Sequence, residues 1–170
     1  MESRAKLFGH PLHPILIVFP LGLLATSVIF DVIYLVTDQA RLSEVAYWMI
    51  VAGLIGGIVA APLGLIDWLA IPAGTRAKRI GGLHGAGNVV VLLLFAASWL
   101  VRGSAAVAPE TLAYVFSWLG VVLAVWTGWL GGELVDRLGI GVDPGAHVNA
   151  PSSLSGRPVH EGISAVQQKR

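Results

Sequence analysis

The amino-acid sequence predicts an all-α fold: an integral membrane four-helix bundle with a disordered polar C-terminal tail. Of the 170 residues, 55% are hydrophobic and only 12% are charged, whereas soluble domains carry roughly a quarter charged residues. Four apolar runs are each close to or above the roughly 20 residues that a helix needs to cross a bilayer. We therefore expect a four-span transmembrane domain at residues 1–138. The polar Gly-, Pro- and Ser-rich stretch at 139–170 should form a disordered cytoplasmic tail.

The four predicted spans are joined by short polar or basic loops. They cover residues 14–36, 45–69, 83–101 and 111–135. In the first span, Pro14 suits the first helical turn, where its missing N–H costs nothing. Pro20 lies further inside and should kink this span, because it leaves the carbonyl of Leu16 without its usual helical donor.

Three ionisable side chains accompany the first span. His10 and His13 each precede a proline, which favours extended backbone and places both side chains on one side. Asp31 follows His13 by five helical turns, so it is expected on the same helix face. An ionisable residue within a span is a functional candidate by default. The alternative for Asp31 is a structural bond to a neighbouring helix.

The second span combines a packing signal with a carboxylate. Small residues spaced by four predict close helix contact; they form the series Gly53, Gly57 and Ala61 and the series Gly56, Ala60 and Gly64. Asp67 lies about one turn from the end of this span and is a second candidate functional carboxylate. The alternative is an ion pair with a basic residue of the next loop, Arg76, Lys78 or Arg79.

The third and fourth spans add further polar candidates. His84 and Asn88 lie four residues apart and therefore share a helix face; the alternative for His84 is an orientation toward lipid headgroups. Glu133 lies near the end of the fourth span, and its alternative role is an ion pair with Arg137. Small residues recur every four positions in the fourth span and predict its packing face: Gly120, Ala124, Gly128 and Gly132.

Lysine and arginine residues predict the orientation of the bundle. Nine of the 11 lie in the N-terminal segment, the second loop and the tail, and only Arg41 and Arg102 lie on the other side. Because cytoplasmic loops are enriched in basic residues, we expect a multi-pass protein of the bacterial inner membrane with both termini in the cytoplasm. This topology brings five candidates to the cytoplasmic face: His10, His13, Asp67, His84 and Glu133.

Composition excludes several classes of function. The sequence contains no cysteine, which excludes disulfides, thiolate catalysis and Cys-ligated metal centres within this chain. A net charge of +1 and basic residues confined to short segments predict no nucleic-acid partner, since such a partner calls for a clustered basic face.

Several motifs occur together in this chain: His10-Pro11-Leu12-His13-Pro14, Phe19-Pro20, Asp31, Asp67, His84-x-x-x-Asn88 and Gly131-Gly132-Glu133-Leu134-Val135. Together they resemble the bacterial membrane-protein family grouped as domain of unknown function 2231. The resemblance covers about Leu7 to Asp143. Some members of that family continue into a Rieske-type iron–sulfur domain, which implies electron transfer near the membrane. The tail of this chain has no cysteine and is too short for such a domain.

Two classes of function remain open. The first is a non-catalytic or accessory subunit of a membrane complex, in contact with the lipid bilayer and with other membrane or redox subunits. The alternative is a subunit that binds haem b or a divalent metal for electron transfer, or a His–Asp proton relay. The candidate haem ligands are His13, His84 and His10. The candidate metal ligands are His13, His84, Asp67 and Glu133, with Asn88 and Asp31 as further polar intramembrane residues.

Overall fold

The computed structural model of this chain describes residues 1–103 and 108–161. Two short strands precede the helices. The elements in chain order are β1 (Lys6–Leu7), β2 (His10–Pro11), α1 (Leu12–Leu16), α2 (Val18–Thr37), α3 (Ala40–Ala70), α4 (Arg76–Arg102), α5 (Thr111–Gly132) and a π-helical turn (Glu133–Arg137). Four helical stretches are long and apolar enough to cross a membrane, with α1 and α2 forming the first. The predicted all-α four-span fold is confirmed.

The helices extend beyond the apolar runs that predict them. Helix α3 begins at Ala40 rather than near residue 45, and α4 begins at Arg76 rather than near residue 83. Thr75 caps α4, because its hydroxyl oxygen accepts a hydrogen bond from the Lys78 amide at 3.1 Å. Polar first turns are compatible with a helix that emerges from the bilayer, so hydropathy alone places these ends too far inside.

Pro20 interrupts the first span in the way its chemistry requires. Proline has no N–H to donate to the carbonyl four residues earlier, and α1 ends at that residue, Leu16. The helix resumes at Val18 as α2. The start of this span differs from the prediction: α1 begins at Leu12, so His13 is helical rather than extended. The expectation that His10 and His13 share one side is therefore wrong.

Two helical hairpins make up the bundle: α2 packs most closely against α3, and α4 against α5. They meet around a buried apolar cluster formed by Leu24, Ile50, Val91 and Phe95. Glycines allow the close approach within each hairpin. A Cβ at Gly53 would lie 2.6 Å from Leu24, and a Cβ at Gly120 would lie 2.8 Å from Phe95.

The glycines of α5 do not form the predicted packing face. A Cβ added at Gly128 or Gly132 would meet no atom within 4 Å, so both glycines face outward, unlike Gly120. The reason is helical geometry: residues four apart are separated by about 400° of rotation, so a series of four-residue steps drifts by about 40° per step. Over three steps the stripe leaves the interface, and Gly131 takes the inward position, against His84.

The N-terminal strands and the tail lie over the end of the bundle that carries the histidines. Strands β1 and β2 pair in antiparallel register, with Leu7 opposite His10. The Met1 amine donates to the Gly139 carbonyl at 2.7 Å, and the Ser153 hydroxyl lies 3.2 Å from His10 Nε2. Residues 139–161 contain turns and bends but neither helix nor strand. Disorder of the tail stays a prediction, and residues 162–170 lie outside the described part of the chain.

Candidate functional site

His13 and His84 meet at the end of the bundle near the N-terminal strands. Their ring centroids are 6.4 Å apart and the ring planes are nearly perpendicular, at 87°. His13 belongs to α1 and His84 to α4, so each helical hairpin contributes one imidazole. The two candidate ligands therefore lie side by side, and their functional role stays a prediction.

Backbone carbonyls fix both imidazoles through the same ring nitrogen. His13 Nδ1 lies 3.0 Å from the Ala60 carbonyl oxygen, and His84 Nδ1 lies 2.9 Å from the Thr127 carbonyl oxygen. A carbonyl only accepts, so we assign the proton of each neutral ring to Nδ1. Each Nε2 is then left with a lone pair, which is the form of histidine that binds a metal.

A glycine lies beneath each imidazole. A Cβ at Gly64 would lie 2.8 Å from His13 Cε1, and a Cβ at Gly131 would lie 3.1 Å from His84 Cε1. Only a residue without a side chain lets the rings approach α3 and α5 so closely. These two glycines therefore position the site as much as the bonds to the carbonyls do.

Asn88 completes the polar layer around His84. Its amide nitrogen donates to the His84 carbonyl at 2.9 Å and lies 3.2 Å from His84 Nε2. Its amide oxygen accepts from the Thr127 hydroxyl at 3.0 Å. The four-residue spacing of His84 and Asn88 thus gives a contact, as predicted, and Asn88 engages the lone pair that a ligand of His84 would use.

The remaining histidine candidate lies elsewhere. His10 is exposed on β2, and its Nε2 faces the Ser153 hydroxyl of the tail. It does not join the pair, because the turn from β2 into α1 separates it from His13.

Asp67 anchors the N-terminal segment instead of supporting the histidines. Its carboxylate accepts hydrogen bonds from the Ser3 hydroxyl at 2.7 Å, the Arg4 amide at 2.7 Å and the Ala5 amide at 3.3 Å. These bonds take the place of the ion pair with the loop after α3 that was the alternative for Asp67, because the N-terminal segment folds back over the end of α3.

Glu133 forms an ion pair with Arg76, at 2.5 Å, rather than with Arg137. The pair connects the end of α5 to the start of α4. Consequently the four predicted metal ligands do not come together, and within residues 1–103 and 108–161 no group of three or more His, Cys, Asp or Glu side chains could hold a metal ion.

Asp31 lies in a second polar layer, at the other end of the bundle. Its two carboxylate oxygens accept from Arg102 at 2.9 Å and 2.5 Å, and both side chains are fully buried. The structural alternative stated for Asp31 is therefore what the structure shows. Arg102 was predicted to lie in a loop. Its role could have been inferred, because a buried carboxylate in a membrane needs a cation at the same depth.

The geometry defines a class of protein: a multi-pass helical membrane protein in which one histidine from each half of the bundle meets the other at one end. More particularly, the chain belongs to a family of predicted membrane proteins, DUF2231, whose family model matches residues 9–144. The resemblance inferred from the motifs is confirmed. No curated protein and no solved structure matches this chain.

Proposed function

We propose that this chain is a membrane-bound electron carrier that holds haem iron between His13 and His84. The observation that carries the proposal is the pair of imidazoles, one from each helical hairpin, 6.4 Å apart between ring centroids. Both are oriented by Nδ1 bonds to carbonyls, the arrangement that typically accompanies metal-ligating histidine. When bound, haem supplies one-electron chemistry.

The spacing of the rings supports an iron between them. Two imidazoles that shared one metal through bonds of about 2 Å, with both nitrogens directed at it, would have their ring centres about 6 Å apart. The observed 6.4 Å is close to this value. His84 must exchange its contact with Asn88 for the metal, which requires only a side-chain movement of Asn88.

The donor set favours haem over a bare divalent ion. Structural zinc sites usually have four protein ligands and catalytic sites three, whereas the described residues bring only two imidazoles together here. Haem iron already has four nitrogen ligands from the porphyrin, so His13 and His84 would supply the protein ligands that it needs. Helical bundles commonly carry such cofactors between facing helices.

Absorption spectroscopy tests the proposal on the full chain, expressed with added haem precursor and purified in detergent. We expect a Soret band that shifts on reduction, with about one haem per chain, by analogy with bundles that hold one cofactor. His13→Ala and His84→Ala should each remove the band, and His10→Ala should retain it. Haem-free protein under these conditions would overturn the proposal. A stoichiometric metal without a Soret band would indicate a bare ion. The absence of both haem and metal would favour an accessory subunit.

We also propose that the protein lies in a bacterial inner membrane with the histidine pair near the cytoplasmic face. The support is the charge distribution: the N-terminal segment, the α3–α4 connection and the π-helical turn lie at the same end as the histidines. At the opposite end, the charge of Arg102 is neutralised by Asp31. Among the described lysines and arginines of that end, Arg41 is the exposed one. Redox subunits that dock on the cytoplasmic side are the partners this orientation suits.

A further inference from the structure

Matching residues recur at constant spacings in the two helical hairpins. Asp31 and Arg102 are 71 positions apart, and the same spacing relates α1–α2 to α4 at three further pairs: His13 and His84, Leu24 and Phe95, and Ser27 and Ser98. A spacing of 67 positions relates α3 to α5 at five pairs: Ala46 and Ala113, Tyr47 and Tyr114, Gly53 and Gly120, Ala60 and Thr127, and Gly64 and Gly131.

The contacts within the hairpins repeat with the residues. Leu24 packs over Gly53, and its counterpart Phe95 packs over the counterpart glycine, Gly120. His13 bonds to the Ala60 carbonyl, while His84 bonds to the carbonyl of the equivalent residue, Thr127. The glycine beneath each imidazole is likewise equivalent. Three correspondences of this kind are not expected from two helical hairpins that merely share an apolar composition.

Two contacts between the hairpins each join a residue to its own counterpart. His13 meets His84, and Asp31 meets Arg102. A residue that touches its own equivalent lies on a twofold axis, as at the centre of a symmetric dimer interface. The two pairs are separated by five helical turns, about 27 Å along the helices, so the axis runs along the bundle and across the membrane.

From these correspondences we infer that the bundle consists of two copies of one helical hairpin, joined in a single chain and related by a pseudo-twofold axis. The ion pair between Asp31 and Arg102 holds the two halves together. The surface buried between the hairpins is therefore an interaction surface whose fitting partner is a second copy of the same hairpin. In a symmetric pair the two axial residues would be identical. Two identical charged residues on the axis would repel each other. The aspartate and the arginine at these positions instead form a bidentate ion pair.

The surroundings of the ion pair support the equivalence of its two positions and reveal one difference. Arg102 Nε donates to Ser98, one turn earlier, at 3.3 Å, and Ser27 is buried at the equivalent place one turn before Asp31. The Ser117 hydroxyl, which donates to the Tyr114 carbonyl at 3.1 Å, also lies near Asp31. The residue equivalent to Ser117 is Ile50, so a carboxylate at position 102 would lack that hydroxyl.

Exchange of the two charges in the full chain tests the inference through the melting temperature in detergent. Asp31→Arg and Arg102→Asp alone each leave two like charges buried, and we expect a loss of about 10 °C or failure to fold. The combined exchange should recover most of the loss, because Ser27 can support an arginine at position 31. The recovery should remain incomplete, because Ile50 offers no hydroxyl to a carboxylate at position 102.

A matched control exchanges the exposed pair, Arg76→Glu with Glu133→Arg, which should leave the melting temperature unchanged. If the buried exchange is no more stable than the single variants, the two positions are not equivalent and the inference fails. The test does not depend on a cofactor. A chain that never binds haem but is rescued by the exchange supports the duplication and refutes only the proposed function.

Discussion

Gly64 and Gly131 determine how closely each imidazole can approach its own hairpin. We predict that Gly64→Ala and Gly131→Ala will displace His13 and His84, because the new methyl groups would lie 2.8 Å and 3.1 Å from the ring carbons. Neither ring can yield without losing its bond to a carbonyl, so haem content should fall several-fold. The matched control is Gly128→Ala, whose methyl group meets no atom within 4 Å.

Optical titration with haem measures this effect, and circular dichroism verifies that the helices persist. Unchanged haem binding in both alanine variants would show that the glycines do not position the rings.

Single residues differ in how much of their role the sequence could predict. The topology predicted from the basic residues places His13 and His84 at the same face of the membrane, which is compatible with their contact. The partners of Asp67 did not, because they lie in a non-helical segment that returns over the end of α3. Arg102 was assigned to a loop, because hydropathy ended the third span at residue 101. The path of irregular backbone and the true helix ends depend on tertiary contacts that periodicity does not encode.

At the scale of helices, the inward face of α5 is set by rotation rather than by spacing alone. We predict that Gly120→Leu will destabilise the bundle by about 1–3 kcal/mol, since overpacking of a filled core costs this much and a Cβ there would already lie 2.8 Å from Phe95. Gly128→Leu should have almost no effect, because its Cβ faces open space.

Thermal unfolding of the two leucine variants in the same detergent distinguishes the faces. Equal loss of stability in both variants would place Gly128 inside the bundle and contradict the orientation of α5 described above.

The number and type of helices could be predicted because apolar length is a strong signal for a membrane span. Two finer features required three dimensions. The break at Ile17 was expected as a kink from Pro20, yet the start of α1 at Leu12 was not. The glycine pattern correctly marked the tight contacts of Gly53 and Gly57, but it failed in α5, where a four-residue spacing drifts out of register with the helix.

For the whole molecule, the orientation in the membrane can be tested because the sequence contains no cysteine. We predict that a cysteine introduced at Gln39, between α2 and α3, reacts with a membrane-impermeant maleimide in intact cells. A cysteine at Gly74, between α3 and α4, should react only after lysis, since the basic end is expected in the cytoplasm.

The unsubstituted chain contains no cysteine and serves as the background control. Labelling of both positions from the same side would refute the four-span topology, and reversed labelling would refute the proposed orientation alone.

The apolar layer at the centre of the bundle has an electrical consequence. Leu24, Ile50, Val91 and Phe95, each no more than 5% exposed, fill the space between the histidine pair and the buried ion pair. A hydrated ion would have to shed its water to cross them, at a cost that no partner in the layer offsets. The layer is therefore an electrical insulator of low dielectric constant. The layer separates the histidine pair from the buried ion pair by a region without charge.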